Sequence, residues 1–167
     1  MPLKYVWAGI TSLIVTLLSG VVVLPLLKKL KVGQPINKYL PEHNEKSGTP
    51  TMGGIIFVVP SVILSAFFTG LDMTALVACG LTLFYAAVGF ADDFIKVKLK
   101  RNLGLTAAQK FLLQLAAAVV FLSLMRYEGL LTNDLYLPFF NVTLTVNWIV
   151  YLIFAAFVIV GCVNAVN

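Results

Sequence analysis

Long apolar runs separated by short polar segments dominate the chain. A helix needs about 20 apolar residues to cross the roughly 30 Å hydrocarbon core of a bilayer. Stretches of this kind occupy residues 5–27, 52–71, 74–90, 105–125 and 146–163. Pro60 lies inside the second stretch, where we expect a kink, because neighbouring helices can satisfy the carbonyl that proline frees. The pattern predicts an all-α integral membrane protein, a polytopic bundle of five transmembrane helices.

One polar connection shows the alternation of a β-strand. In residues 127–145, between the fourth and fifth spans, apolar and polar residues begin to alternate at Phe140 and continue to Val146. Asn133, Asp134 and Pro138 provide turn signals upstream of this alternation. The segment therefore predicts a small β-hairpin.

Composition and charge agree with a membrane location and add an orientation. Hydrophobic residues make up 60% of the chain and charged residues 11%, against about a quarter charged in soluble domains, which excludes a water-soluble globular domain. Ten of the 12 lysines and arginines follow the first or third span, and only Lys4 and Arg126 lie on the opposite side. The positive-inside rule then places the N-terminus and the hairpin outside and both basic loops in the cytoplasm. Topology accounts for the net charge of +5, so no nucleic-acid partner is needed.

The first basic loop carries glycines, threonines and a lysine just before the second span. Lys46 precedes Gly48 and Thr51, and Gly53 is followed by Gly54 rather than by the Lys-Ser/Thr pair of a Walker A loop. Backbone amides and hydroxyls at a helix start can bind an anion. A helix start with ordinary turn residues explains the same pattern, and both interpretations stay open.

The second basic loop, predicted over residues 92–103, begins with two adjacent carboxylates. Asp92 and Asp93 follow an almost uncharged span, and Lys96 shares a helical face with both if the helix continues. A simple ion pair is one interpretation. Two neighbouring carboxylates repel each other, which favours a shared divalent cation or a carboxyl group suited to taking a proton.

Further polar residues flank the last two spans. Lys110 and Gln114 are four residues apart, and Asn164 and Asn167 are three apart at the end of the fifth span. Lys110 can extend its side chain to the membrane surface, and the asparagines can bind a ligand or cap the helix.

Taken in order on one side of the membrane, these motifs resemble the phospho-N-acetylmuramoyl-pentapeptide transferase (MraY) family. That family lies within the polyprenyl-phosphate N-acetylhexosamine-1-phosphate transferase superfamily, which shares the paired aspartates. The resemblance rests on residues 46–54, on Asp92-Asp93-x-x-Lys96, on Asn102-x-Gly104-Leu105 with Lys110, and on Asn164-x-x-Asn167.

The resemblance implies a magnesium-dependent transfer of phospho-N-acetylmuramoyl-pentapeptide from UDP-N-acetylmuramoyl-pentapeptide to undecaprenyl phosphate, giving lipid I and UMP. It assigns Asp92 to deprotonating or orienting the lipid phosphate and Asp93 to supporting Mg²⁺. Lys46 would hold the nucleotide. The other residues it assigns to substrate binding are Thr51, Lys96, Asn102, Lys110, Asn164 and Asn167.

The same resemblance implies that residues 1–167 are a single transmembrane domain, the N-terminal half of an enzyme with about ten spans in the bacterial inner membrane. The main metal-binding aspartate would then lie beyond Asn167, and we expect the chain to be inactive without a C-terminal half. Membrane lipids are expected partners, and a homodimer stays open. The alternatives are another transferase of the superfamily, or a non-enzymatic module such as half a transporter. No internal repeat or mid-span charge supports a transporter.

Overall fold

A computed structural model describes residues 3–29, 51–99 and 103–165. Within these residues, five helices and a two-stranded sheet confirm the predicted fold class, an all-α polytopic protein with a small β-hairpin. The elements are α1 (Leu3–Lys29), α2 (Ile55–Thr69), α3 (Met73–Lys98), α4 (Ala107–Tyr127), β1 (Asp134–Leu137), β2 (Val142–Thr145) and α5 (Trp148–Ala165).

Within the described residues, α1, α3, α4 and α5 are long and apolar enough to cross a membrane, and α2 is a shorter apolar helix. The chain is therefore a multi-pass membrane protein. The predicted second span, residues 52–71, is too long, because α2 has 15 residues, or about 22 Å of helix. Gly53 and Gly54 form a turn before it. Gly70 ends it in the left-handed conformation, at φ 70°, which glycine adopts without steric cost.

The third helix is longer than predicted. The apolar pattern predicts the end of this span at residue 90 and a loop over 92–103, but α3 continues to Lys98. The reason is that Lys96 pairs with both aspartates along the helix surface, so that the charged residues extend α3 instead of ending it. At the other end, Asp72 caps α3 by accepting a hydrogen bond from the Ala75 N–H.

The chain forms two compact units, and the prediction of a single transmembrane domain stays a prediction. In the first unit, Met1–Ala107, α2 packs against α1 and against α3. Gly20 of α1 lies close to Ile56 of α2, and a Cβ at Gly20 would be 3.6 Å from the Ile56 Cγ2 atom. Most large apolar side chains of α1 are exposed, as expected for a helix that faces lipid.

In the second unit, Ala108–Asn167, small side chains lie at the centre of the buried cluster. Ala118 and Leu122 of α4 pack with Ala156 and Val160 of α5, and Ala118 is fully buried. Small residues let membrane helices approach closely, so that van der Waals contact stabilises the pair.

The predicted hairpin is confirmed in this unit. Strands β1 and β2 are antiparallel. The cross-strand pairs Leu135–Leu144 and Leu137–Val142 lie on one face, and Asp134–Thr145 and Tyr136–Thr143 lie on the other. The predicted alternation starts too early, since Phe140 lies in the turn and Asn141 has a φ of 51°.

Asn133 fastens the base of the hairpin to the adjacent helix ends. Its Nδ2 donates to the Val146 carbonyl oxygen at 2.9 Å, and its own carbonyl accepts from the Val146 N–H at 3.1 Å. Arg126, at the end of α4, donates to Asn133 Oδ1 at 2.7 Å and stacks over the Trp148 ring at 4.4 Å. The two ends of the connection between α4 and α5 are therefore tied together.

Candidate functional site

The end of α3 brings three of the predicted site residues into direct contact. Lys96 Nζ lies 2.7 Å from Asp92 Oδ2 and 3.4 Å from Asp93 Oδ1. The Asp92 side chain is 9% exposed, and the Asp93 side chain is 31% exposed. The two adjacent carboxylates therefore share one cation but differ in their access to solvent.

Asp92 is also held by the segment that precedes α4. The backbone N–H of Leu105 donates to Asp92 Oδ1 at 2.8 Å. Gly104 lies so close that a Cβ at this position would press against Asp92 Oδ1 and lie 2.6 Å from the Asp92 carbonyl oxygen. The Asp92 carboxylate is thus fixed between a backbone amide and an ammonium group.

Asp93 is contacted by the segment that precedes α2. The backbone N–H of Met52 donates to Asp93 Oδ2 at 3.2 Å. Met52 has a φ of 66°, which is uncommon for a residue with a side chain. Thr51, a predicted substrate-binding residue, is half-buried next to it. Three polar segments that are distant in sequence therefore meet at one end of the first unit, as expected if they form one site.

The second unit holds a separate polar contact between α4 and α5. Asn164 Nδ2 donates to Gln114 Oε1 at 2.7 Å and to the Val160 carbonyl at 2.8 Å. Gln114, which the sequence pattern paired with Lys110, is buried and accepts from Asn164. Lys110 lies one turn before it in α4. The Asn164 amide nitrogen is therefore engaged within the protein, whereas Asn164 as a residue is exposed.

Three predicted site residues, Lys46, Asn102 and Asn167, lie outside the described residues. Within the described ranges, no group of three or more histidine, cysteine or carboxylate side chains could hold a metal ion. The pair Asp92 and Asp93 accordingly offers at most part of a metal site in this portion of the chain.

Sequence reasoning missed the two backbone donors of the site, the N–H groups of Met52 and Leu105. Backbone amides carry no residue signature, so only indirect signals were present. The glycines beside them, at 53, 54 and 104, are those signals, because glycine permits turns and close backbone approach.

More than half of the chain, residues 73–167, matches the family model described as Glycosyl transferase family 4. The chain belongs to this family. Residues 46–58 in addition match the phospho-N-acetylmuramoyl-pentapeptide-transferase signature 1, which ends inside α2 and includes Met52. The match to the signature thus covers the segment that contacts Asp93.

Curated proteins named phospho-N-acetylmuramoyl-pentapeptide-transferase are similar to almost the whole chain. The protein of Caldanaerobacter subterraneus subsp. tengcongensis is 40% identical over 166 residues, which cover 98% of this chain and 51% of that protein. The Symbiobacterium thermophilum protein is 40% identical over 171 residues, which cover 99% of this chain and 51% of that protein. The Bacillus subtilis protein is 37% identical over 159 residues, which cover 92% of this chain and 48% of that protein. The chain spans about half the length of the curated relatives it matches.

Proposed function

We propose that the chain forms part of a magnesium-dependent phospho-sugar transferase that moves phospho-N-acetylmuramoyl-pentapeptide from its UDP carrier to undecaprenyl phosphate. The products would be UMP and lipid I, a precursor of peptidoglycan. One observation carries the proposal. The Asp92–Asp93–Lys96 cluster is bonded to Met52, within the segment that matches the phospho-N-acetylmuramoyl-pentapeptide-transferase signature.

The geometry of the cluster suits phosphoryl transfer. Both proposed substrates are anionic where they react, and catalysis of this class depends on positioning and on neutralising charge at the phosphates. Lys96 supplies a cation beside two carboxylates. Asp92, our choice for accepting a proton from the lipid phosphate or orienting it, is held on both oxygens. A fixed orientation is what a positioning or proton-accepting group needs.

The carboxylates also fit part of a magnesium site. Mg²⁺ prefers oxygen ligands and is usually bound by one or two carboxylates together with substrate phosphates and water. Asp93 is the better placed of the two, since its side chain is 31% exposed and its contacts with Met52 and Lys96, at 3.2 Å and 3.4 Å, are long. When bound, the metal would neutralise charge on the phosphates. Its remaining protein ligands would come from outside the described residues.

The wider assignments extend this proposal to the membrane. Undecaprenyl phosphate would approach through the lipid, and the UDP-sugar from the cytoplasm, at the inner face of the bacterial plasma membrane. The orientation rests on the distribution of basic residues. Lys46 would bind the nucleotide, and the other proposed substrate contacts are Thr51, Lys96, Asn102, Lys110, Asn164 and Asn167.

The test is the formation of lipid-linked sugar phosphate from labelled UDP-N-acetylmuramoyl-pentapeptide and undecaprenyl phosphate. The chain is expressed in membranes with the part of the Caldanaerobacter relative outside the aligned segment. We expect Asp92→Asn to lower turnover by orders of magnitude, because the amide keeps the size and removes basicity and charge. Asp72→Asn at the opposite end of α3 is the matched control and should retain turnover, since asparagine also caps helices.

The same assay separates the roles of the two aspartates. Asp93→Asn should also be severe, but raised magnesium should restore part of its activity and none of the activity of Asp92→Asn. Turnover of Asp92→Asn within threefold of the unmodified enzyme would remove Asp92 from the mechanism. Absence of magnesium-dependent transfer by the unmodified chain expressed together with that part of the relative would refute the proposed function.

A further inference from the structure

The segment before α4 contacts Asp92 through its backbone rather than through a side chain. From this contact we infer that Gly104 is a positioning residue for Asp92. Because Gly104 lacks a Cβ, the Leu105 N–H reaches Asp92 Oδ1 and holds the carboxylate against Lys96. The consequence for catalysis rests on the proposed function, whereas the contact itself does not.

Steric distances show why position 104 excludes a side chain. A Cβ would press on Asp92 Oδ1 and would lie 2.6 Å from the Asp92 carbonyl oxygen and 2.8 Å from its Cγ. Carbon atoms in van der Waals contact are about 3.5–4.0 Å apart, so a Cβ at these separations would overlap Asp92. Among the described residues, the glycines with positive φ are Gly70 and Gly129. Close approach, and not a left-handed backbone, is therefore the reason for glycine here.

Neither side of this contact can easily move away. The Asp92 carbonyl belongs to the backbone of α3, and the carboxylate is held by Lys96 at 2.7 Å. An alanine at 104 must therefore displace the segment before α4, which separates the Leu105 N–H from Asp92. The carboxylate then keeps Lys96 but loses the Leu105 N–H, one of the donors that fix its orientation.

The expected functional result is a change in turnover rather than in substrate affinity. Gly104 does not itself need to touch a substrate, and a misplaced reacting group lowers the rate of the chemical step. In the transfer assay, Gly104→Ala should lower kcat at least tenfold and leave KM within threefold. Gly80→Ala is the matched control in α3, because a Cβ at Gly80 has nothing within 4 Å, and both constants should be retained.

Hydrogen exchange of the Leu105 amide tests the contact without any activity. We expect Asp92→Ala and Gly104→Ala each to speed this exchange at least tenfold in the chain labelled with ¹⁵N-leucine, and Gly80→Ala to leave it unchanged. Exchange within α2 checks that the variants fold. If Gly104→Ala does not fold, the exchange rate of the Leu105 amide in Asp92→Ala tests the contact by itself. An unchanged Leu105 exchange rate in Asp92→Ala overturns the inference.

The two assays separate this inference from the proposed function. Faster Leu105 exchange with no transfer by the unmodified protein would support the contact and refute the proposed function. Transfer by the unmodified protein with an unchanged kcat in Gly104→Ala would overturn the positioning role and leave the proposed function standing.

Discussion

The ion pairs of Lys96 should contribute unequally to the stability of the first unit. The perturbation is a double-mutant cycle that combines Lys96→Met with Asp92→Asn, and separately with Asp93→Asn. Lys96 Nζ is 2.7 Å from Asp92, whose side chain is 9% exposed, and 3.4 Å from Asp93, whose side chain is 31% exposed. We expect the Lys96–Asp92 coupling to be the larger one.

The magnitudes follow from distance and exposure. A short hydrogen bond to a charged group contributes about 1.5–3 kcal/mol, and Lys96 is itself 23% exposed, so we expect about 2 kcal/mol for the coupling with Asp92. The pair with Asp93 is longer and more open to solvent. Exposed ion pairs are typically worth about 0.2–1 kcal/mol, and the coupling with Asp93 should fall in this range.

The assay is the free energy of unfolding of the chain in mixed micelles, measured by titration with sodium dodecyl sulfate. Lys98→Met is the matched control, because Lys98 is exposed and its ammonium group lies over the Phe94 ring instead of beside a carboxylate. The coupling between Lys98 and Asp92 should be below about 0.5 kcal/mol, as for surface substitutions. A Lys96–Asp93 coupling equal to or larger than that of Lys96–Asp92 would refute the reasoning from exposure.

Two further predictions concern packing and orientation. Ala118→Leu should lower the free energy of unfolding by about 1–3 kcal/mol, because it overpacks a fully buried contact between α4 and α5. The control Ala116→Leu, on the exposed face of α4, should change this free energy by less than about 0.5 kcal/mol. Equal losses of unfolding free energy in the two variants would contradict the packing of Ala118. A cysteine at Lys98 should react with an impermeant thiol reagent only in opened cells, and a cysteine at Asp134 should react in intact cells. Labelling of the Lys98 position from outside would reverse the proposed topology.

The sequence predicted the helices well but placed their ends less accurately. Apolar length identifies a span because hydrocarbon thickness fixes it. The same measure cannot tell a turn residue from a helical one, so it predicts a span that contains Gly53 and Gly70, whereas the helix covers only Ile55–Thr69. Conversely, charge after residue 90 suggested a loop, whereas Lys96 keeps that segment helical by pairing with its neighbours.

The candidate site was predictable where side chains carry it. Asp92, Asp93 and Lys96 are close in sequence, so helical spacing alone predicts their contact. The donors from Met52 and Leu105 required knowledge of how distant segments pack. The bond between Gln114 and Asn164 joins residues 50 positions apart, and no local pattern predicts which helices are neighbours.

The Asn133 contacts change the effective length of the tether between the last two helices. Residues 128–147 separate α4 from α5. The paired strands and the Asn133–Val146 hydrogen bonds tie residues 133–146 into a closed hairpin. The open connection between α4 and α5 therefore consists only of residues 128–132 and 147. Loop-closure entropy grows with the logarithm of loop length, and this shortening lowers its cost by about 1 kcal/mol. The hairpin therefore makes α4 and α5 behave as a helical pair with a short connector.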